Sequence, residues 1–123
     1  MSDFITSTST ITSVAVTVPN LTGGTNGKVV RMSGTNQVTD AANTDTATQL
    51  NTVMFKVSDV YYSSGYLTGF SGLNPGSAYY LSTAGNITAS PPTPTSSVRV
   101  LLIGFAVNTT DLVFRPGIPI SGS

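Results

Sequence analysis

LNPGSAYYLSTAGNITASPPTPTSSVRVLLIGFA, residues 73–106, reads as turn, strand, turn, strand, stiff loop and strand in close succession. Pro75 presets φ for the second position of a β-turn and Gly76 supplies the positive φ of a type II turn. Ala78–Ser82 then alternates as a strand, and Ala84, Gly85 and Asn86 turn the chain towards Ile87–Ala89. Pro91, Pro92 and Pro94 stiffen an extended loop. Residues 97–108 and 111–115 read as a long hairpin around Asn108–Asp111, with Gly104 marking a bulge or a close backbone approach. In that hairpin Val98, Val100, Leu102 and Leu112 are expected on inward or interface positions. Leu101 and Ile103 are expected on the other side, under a neighbouring layer.

The same grammar extends upstream. Val14, Val16 and Val18 alternate with Ala15 and Thr17, the period of a strand with one buried face. Pro19, Asn20 and the run Thr22–Gly27 mark turns. Lys28–Met32 reads as a short strand, Gln37–Thr39 as another, Thr52–Tyr62 as a long one and Tyr66–Phe70 as a short one. Residues 40–50 carry no apolar stripe, so they are either a single helical turn or a loop. The tail PGIPISGS is not expected to pair regularly, because Pro116 and Pro119 lack donors. The expected architecture is all-β: a small single-domain β-sandwich or β-barrel over residues 20–115. An extended arm and first strand (1–19) precede it and an extended tail (116–123) follows.

Composition removes most chemistry. The 123 residues include no His, Cys, Trp or Glu, and five basic side chains balance five acidic ones. Duplex DNA requires clustered cations to displace counterions, and two Lys with three dispersed Arg do not supply them. No nucleic-acid partner is expected. No apolar run approaches the roughly 20 residues of a membrane span, and MSDFITSTST has neither the basic nor the apolar region of a signal peptide. Asn20, Asn86 and Asn108 each open an Asn-X-Thr sequon, which without a secretory route are ordinary turn residues.

Several motifs fail on inspection. Gly23–Lys28 approaches a phosphate-binding loop, but one residue is missing, Val29 stands where the hydroxyl should be, and a strand follows instead of a helix. Asp40, Asn43 and Asp45 offer oxygens to a cation without the spacing, bend glycine or closing Glu of a calcium loop. Lys28 and Lys56 have no local tie to a serine nucleophile, and the five Asp are scattered. No catalytic residue, metal or cofactor is assigned. Tyr61, Tyr62, Tyr66, Tyr79 and Tyr80 remain; neighbours in a strand point to opposite faces, so one ring of each adjacent pair is expected in the core. The others suit a protein interface or a sugar-stacking platform.

The order Leu73, Pro75-Gly76, Tyr79-Tyr80-Leu81-Ser82, Gly85, Ile87-Thr88, the prolines, Val98-to-Val100 and Gly104 to Ala106 resembles a β module of tailed-bacteriophage capsid decoration (cement) proteins, shared with phage tail-fibre proteins. The similarity runs from about Gly27 to Ile120, and the expectation is a gene product that is little more than this module. It implies a structural virion protein that binds the major capsid protein on the outer surface of a phage head, as a homotrimer, after synthesis in the bacterial host cytoplasm. A tail, fibre or receptor- or carbohydrate-binding module is the alternative, and an enzyme is disfavoured by the residue inventory. A neutral, hydroxyl-rich surface fits a subunit living inside an assembly better than a free monomer. Partner contacts are expected at Phe4, Ile5 and Ile11 of the arm, at Tyr62, Tyr66 and Tyr80, and at Ile118 and Ile120 of the tail. The arm, in which Asp3 is the one charged side chain, is suited to strand addition on a neighbouring chain, either another copy or the capsid shell.

Overall fold

The computed structural model describes residues 15–122, so Phe4, Ile5 and Ile11 of the expected arm lie outside the described residues. The first half contains β1 (Ala15–Thr17), β2 (Thr22–Gly23), β3 (Lys28–Gly34), β4 (Gln37–Asp40), the helical turn α1 (Ala47–Leu50), β5 (Met54–Val57) and β6 (Val60–Thr68). The second contains β7 (Ala78–Leu81), β8 (Ile87–Thr88), β9 (Arg99–Val100), β10 (Leu102–Ala106), β11 (Asp111–Phe114) and β12 (Ile120–Ser121). The fold is all-β in one small domain, as the alternation predicts. One sheet runs β2-β4-β3-β5-β6-β11-β10-β7-β8, with β1 added beside β6, and β12 and β9 form a separate two-stranded ladder.

That sheet rolls until its end meets its middle. Val29 N–H donates to the Gly85 carbonyl at 2.9 Å, Gly85 N–H donates to Ala41 and Asn43 N–H to Ser82. These bonds sew the β7–β8 turn back to β3 and to the loop after β4. The inside of the roll buries Val29, Leu50, Phe55, Leu67, Tyr79, Leu81, Leu101, Ile103, Leu112 and Phe114. Phe55 is its hub, edge-on to Phe70 at 5.3 Å and to Phe114 at 5.5 Å between ring centroids. On the opposite face Val30, Val38, Met54 and Tyr61 form a second cluster beneath Val18 and Leu21. Adjacent residues Val29 and Val30 are therefore both fully buried, one in each cluster.

The turns follow from their residues. Ser77 N–H closes on the Asn74 carbonyl at 3.1 Å with Gly76 at φ 82°, the turn read from Pro-Gly. Ala84 and Gly85 both take positive φ, and Asn86 N–H closes on Thr83 at 3.1 Å. The helical turn forms because Thr46 and Gln49 make a reciprocal capping box: the Thr46 hydroxyl accepts from Gln49 N–H and the Gln49 side chain accepts from Thr46 N–H.

Four local expectations are corrected. Residues 52–62 are not one strand: Ser58 and Asp59, both at positive φ, form a two-residue hairpin turn between Val57 and Val60. Neither residue is glycine, so the usual signal was absent. The segment Tyr66–Phe70 is not a separate strand, since Tyr66–Thr68 completes β6. The first strand shows no buried face over Ala15–Thr17, all three exposed; Val14 lies outside the described residues, and Val18, just past the strand, is half-buried against the second cluster. The tail does pair. Ile120 opposes Val100 and Ser121 opposes Arg99, while Gly117 and Gly122 supply the donors that the prolines lack, to Leu102 and Thr95.

The β10–β11 hairpin also has a different register. Leu101 and Ile103 are fully buried, but Gly104 pairs with Tyr79 one step out of phase, so the inward face passes to Ala106. Leu112 and Phe114 share that interior, whereas Val98, Val100 and Leu102 lie half-buried on the outside. Ile103→Ala is accordingly expected to cost roughly 2–5 kcal/mol and Leu102→Ala under about 1.5 kcal/mol. Denaturant midpoints of the two variants check this, and equal losses would restore the register read from alternation.

Candidate functional site

A cleft of about 570 Å³ opens between β1, the β5–β6 hairpin and the far end of β6. Ala15, Val57, Val60, Tyr62, Tyr66, Leu67, Thr68 and Asp111 line it. Two of the predicted tyrosines, Tyr62 and Tyr66, thus come together, both half-buried. Tyr80 is half-buried on β7, where it opposes Leu102 and Thr88, and it does not line the cleft. Tyr79 is in the core, its hydroxyl accepting from Asn74 N–H, as the alternation of the pair requires. Tyr61 is buried too, but on the opposite face of the sheet, donating to the Gly23 carbonyl at 2.8 Å.

Asp111 is the residue that sequence reading missed. Thr68 and Thr110 hydroxyls donate to one carboxylate oxygen at 2.6 and 2.9 Å. The Tyr66 hydroxyl and the Asn108 amide donate to the other at 2.7 and 3.1 Å. An ionised carboxylate has about four lone-pair sites; Thr68, Tyr66 and Asn108 fill three, and the single Thr110 proton is shared with the Asn108 amide oxygen at 3.0 Å. Asn108 itself accepts from the backbone N–H groups of Thr110 and Asp111, so the β10–β11 turn is tied to β6 by one hydrogen-bonded knot. The only local signal was Asn108-Thr-Thr-Asp111, an Asx-turn composition; the contribution of Thr68 and Tyr66 depends on β6 lying beside β11.

Electrostatics follow from those bonds. Donation by Thr68, then by Tyr66, Asn108 and Thr110, holds the Asp111 carboxyl far below the usual carboxylate range. The Tyr66 phenol is pushed up, first by its bond to Asp111, then by burial and by the negative charge. A depressed carboxyl stabilises the fold fully above its unfolded value near 4, and that stabilisation fades as pH falls towards the folded value. The melting-temperature gap between wild type and Asp111→Asn is therefore expected to be constant from about pH 8 to 5 and to narrow below about pH 4. A gap independent of pH down to acid unfolding would remove the charge from the explanation.

The arrangement is suited to contact more than to bond-making. Asp111 is already engaged by three full donors and a shared one, and the cleft adds aromatic, aliphatic and hydroxyl surface. The other polar groups singled out from sequence are committed elsewhere. Asp45 is held by Arg31 at 2.8 Å and by Ala42 N–H, and Asp40 by the Thr25 hydroxyl and N–H. Among the described residues no three acidic, His or Cys side chains cluster for a metal. In the Gly23–Lys28 loop the carbonyls of Gly23 and Gly24 face the Lys56 ammonium, the reverse of the donors a phosphate needs. Ile118 and Ile120 stand 80% and 60% exposed, away from any cluster of the core. The chain matches no protein-family model, no curated protein and no solved structure.

Proposed function

We propose that this chain is a structural virion protein that binds the outer surface of a bacteriophage head and stabilises the capsid by bridging neighbouring subunits. Its partners are the major capsid protein and further copies of itself, in a homotrimer. The observation that carries the reading is the coincidence of open strand edges with exposed apolar side chains. Among the described residues β1 pairs only with β6 and leaves Val16 53% exposed, and the segment entering β12 exposes Ile118 and Ile120. Open edges are templates for another chain, and natural proteins usually guard them with charge or proline. Here the β1 edge carries no charge and the net charge of the whole chain is zero. The resemblance of residues 73–106 to the phage module supplies the kind of assembly.

Counting copies in purified particles tests the proposal. Hundreds per head support decoration, whereas a few to a dozen support a tail or fibre component. That second reading, with carbohydrate as ligand, draws on Tyr62 and Tyr66 in the cleft, since exposed aromatic faces stack on sugars. Sedimentation at micromolar concentration is expected to show a trimer. A clean monomer would confine trimerisation to the capsid surface.

A further inference from the structure

Strand β6 has two hydrogen-bonding edges. β5 occupies the start of one, from Val57 opposite Val60 to Phe55 opposite Tyr62. In a two-residue hairpin Val60 and Tyr62 bond to the partner strand, so the Tyr61 carbonyl points to the other edge, where Val18 N–H meets it at 2.9 Å. That second edge is divided. β1 occupies Tyr62 to Gly65 and β11 occupies Gly65 to Thr68, so Gly65 is the register partner of both Ala15 and Phe114. The positions into which an antiparallel β1 would grow towards its N-terminus are held by β11. The cleft opens at this junction, with Ala15 on its rim.

We propose that the cleft of one copy receives residues 4–13 of a second copy. Residues 2–14 are rich in Thr, Ile, Val and Phe, which favour extended chain, and they reach about 45 Å when extended. A domain of this length is only roughly 35 Å across, so such a segment outreaches its own body. The chemistry of the two surfaces matches. Residues 4–13, FITSTSTITS, carry no charge. The cleft offers Val60, Tyr62 and Thr68, and its one carboxylate is already engaged by Thr68, Tyr66 and Asn108. Each copy gives one segment and receives one, a head-to-tail contact that closes into a ring when the rotation between copies permits. This deepens the self-association in the proposed function by naming the surface through which it occurs.

The chain has no native cysteine, so disulfide trapping in the full-length protein is a clean test. Ile11→Cys and Val60→Cys are made as separate single variants, mixed at micromolar concentration and mildly oxidised. Ser9→Cys serves as a second probe of register, and Ser96→Cys, on the exposed proline loop, reports random collision. The mixed pair is expected to yield the double-mass heterodimer about tenfold above the Ser96→Cys control, because an occupied cleft raises the effective concentration. If neither Ile11→Cys nor Ser9→Cys exceeds that control with Val60→Cys, the inference falls. It falls equally if the bond forms only within a chain carrying both Ile11→Cys and Val60→Cys. Wild-type protein still present at hundreds of copies per head would then leave the decoration reading standing without this contact.

Discussion

Gly104→Val is expected to cost about 4 kcal/mol or more, against a total stability of roughly 6–18 kcal/mol for a chain of this length. The Gly104 backbone is close to extended, at φ 159°, so the penalty is steric and not conformational. A Cβ there would overlap the carbonyl oxygen of Val113 on the adjacent strand and crowd Phe114 Cα. Both atoms are backbone held by the β10–β11 ladder, so no flexible side chain can yield. Moving them would shift Phe114 out of its edge-on contact with Phe55 at the centre of the core. Gly72→Ala is the control: a Cβ meets nothing within 4 Å, and only the positive φ of 73° is strained, for about 1–2 kcal/mol. Chemical denaturation compares the two. Similar midpoints would mean that the bulge can relax, and that the inward face does not depend on it.

Deleting residues 2–12 is expected to leave the domain folded while reducing incorporation into particles by at least about tenfold. Among the described residues, the buried members of both core clusters lie between Val29 and Phe114, outside the deleted segment. Circular dichroism and the denaturant midpoint should change by no more than about 0.5 kcal/mol. Under the proposed function that loss would come from linked binding: three joined copies would hold a capsid more tightly than three separate ones, by factors of about 10²–10⁴. Because residues 4–13 carry no charge, attachment of the wild type should vary little between low and moderate salt, unlike an ion-pair interface. Full-strength attachment by the shortened chain would move the contact to the tyrosine-bearing strands or to Ile118 and Ile120.

What the sequence disclosed was local. The Pro75-Gly76 turn, the Ala84-Gly85 turn, the bulge glycine and the opposed faces of Tyr79 and Tyr80 each depend on residues adjacent in the chain, and each is present. Thr46 and Gln49 carried a capping-box signal that would have chosen the helical turn over the loop. Ser58-Asp59 defeated the reading because a type I′ turn normally announces itself with Asn or Gly. The tail was misjudged for a related reason: Pro116 and Pro119 were weighed, and the donors of Gly117 and Gly122 were not. Asp111 shows the deeper limit. Its four partners come from residues 66, 68, 108 and 110, and no window of sequence reveals that β6 and β11 lie side by side.

Gly65, shared between two strands, has a practical meaning for anyone engineering the chain. Because β11 already claims the rest of that edge, β1 cannot lengthen along β6 beyond Ala15. Foreign peptides grafted ahead of Ala15 should therefore leave the rolled sheet intact, since they have no need to displace β11.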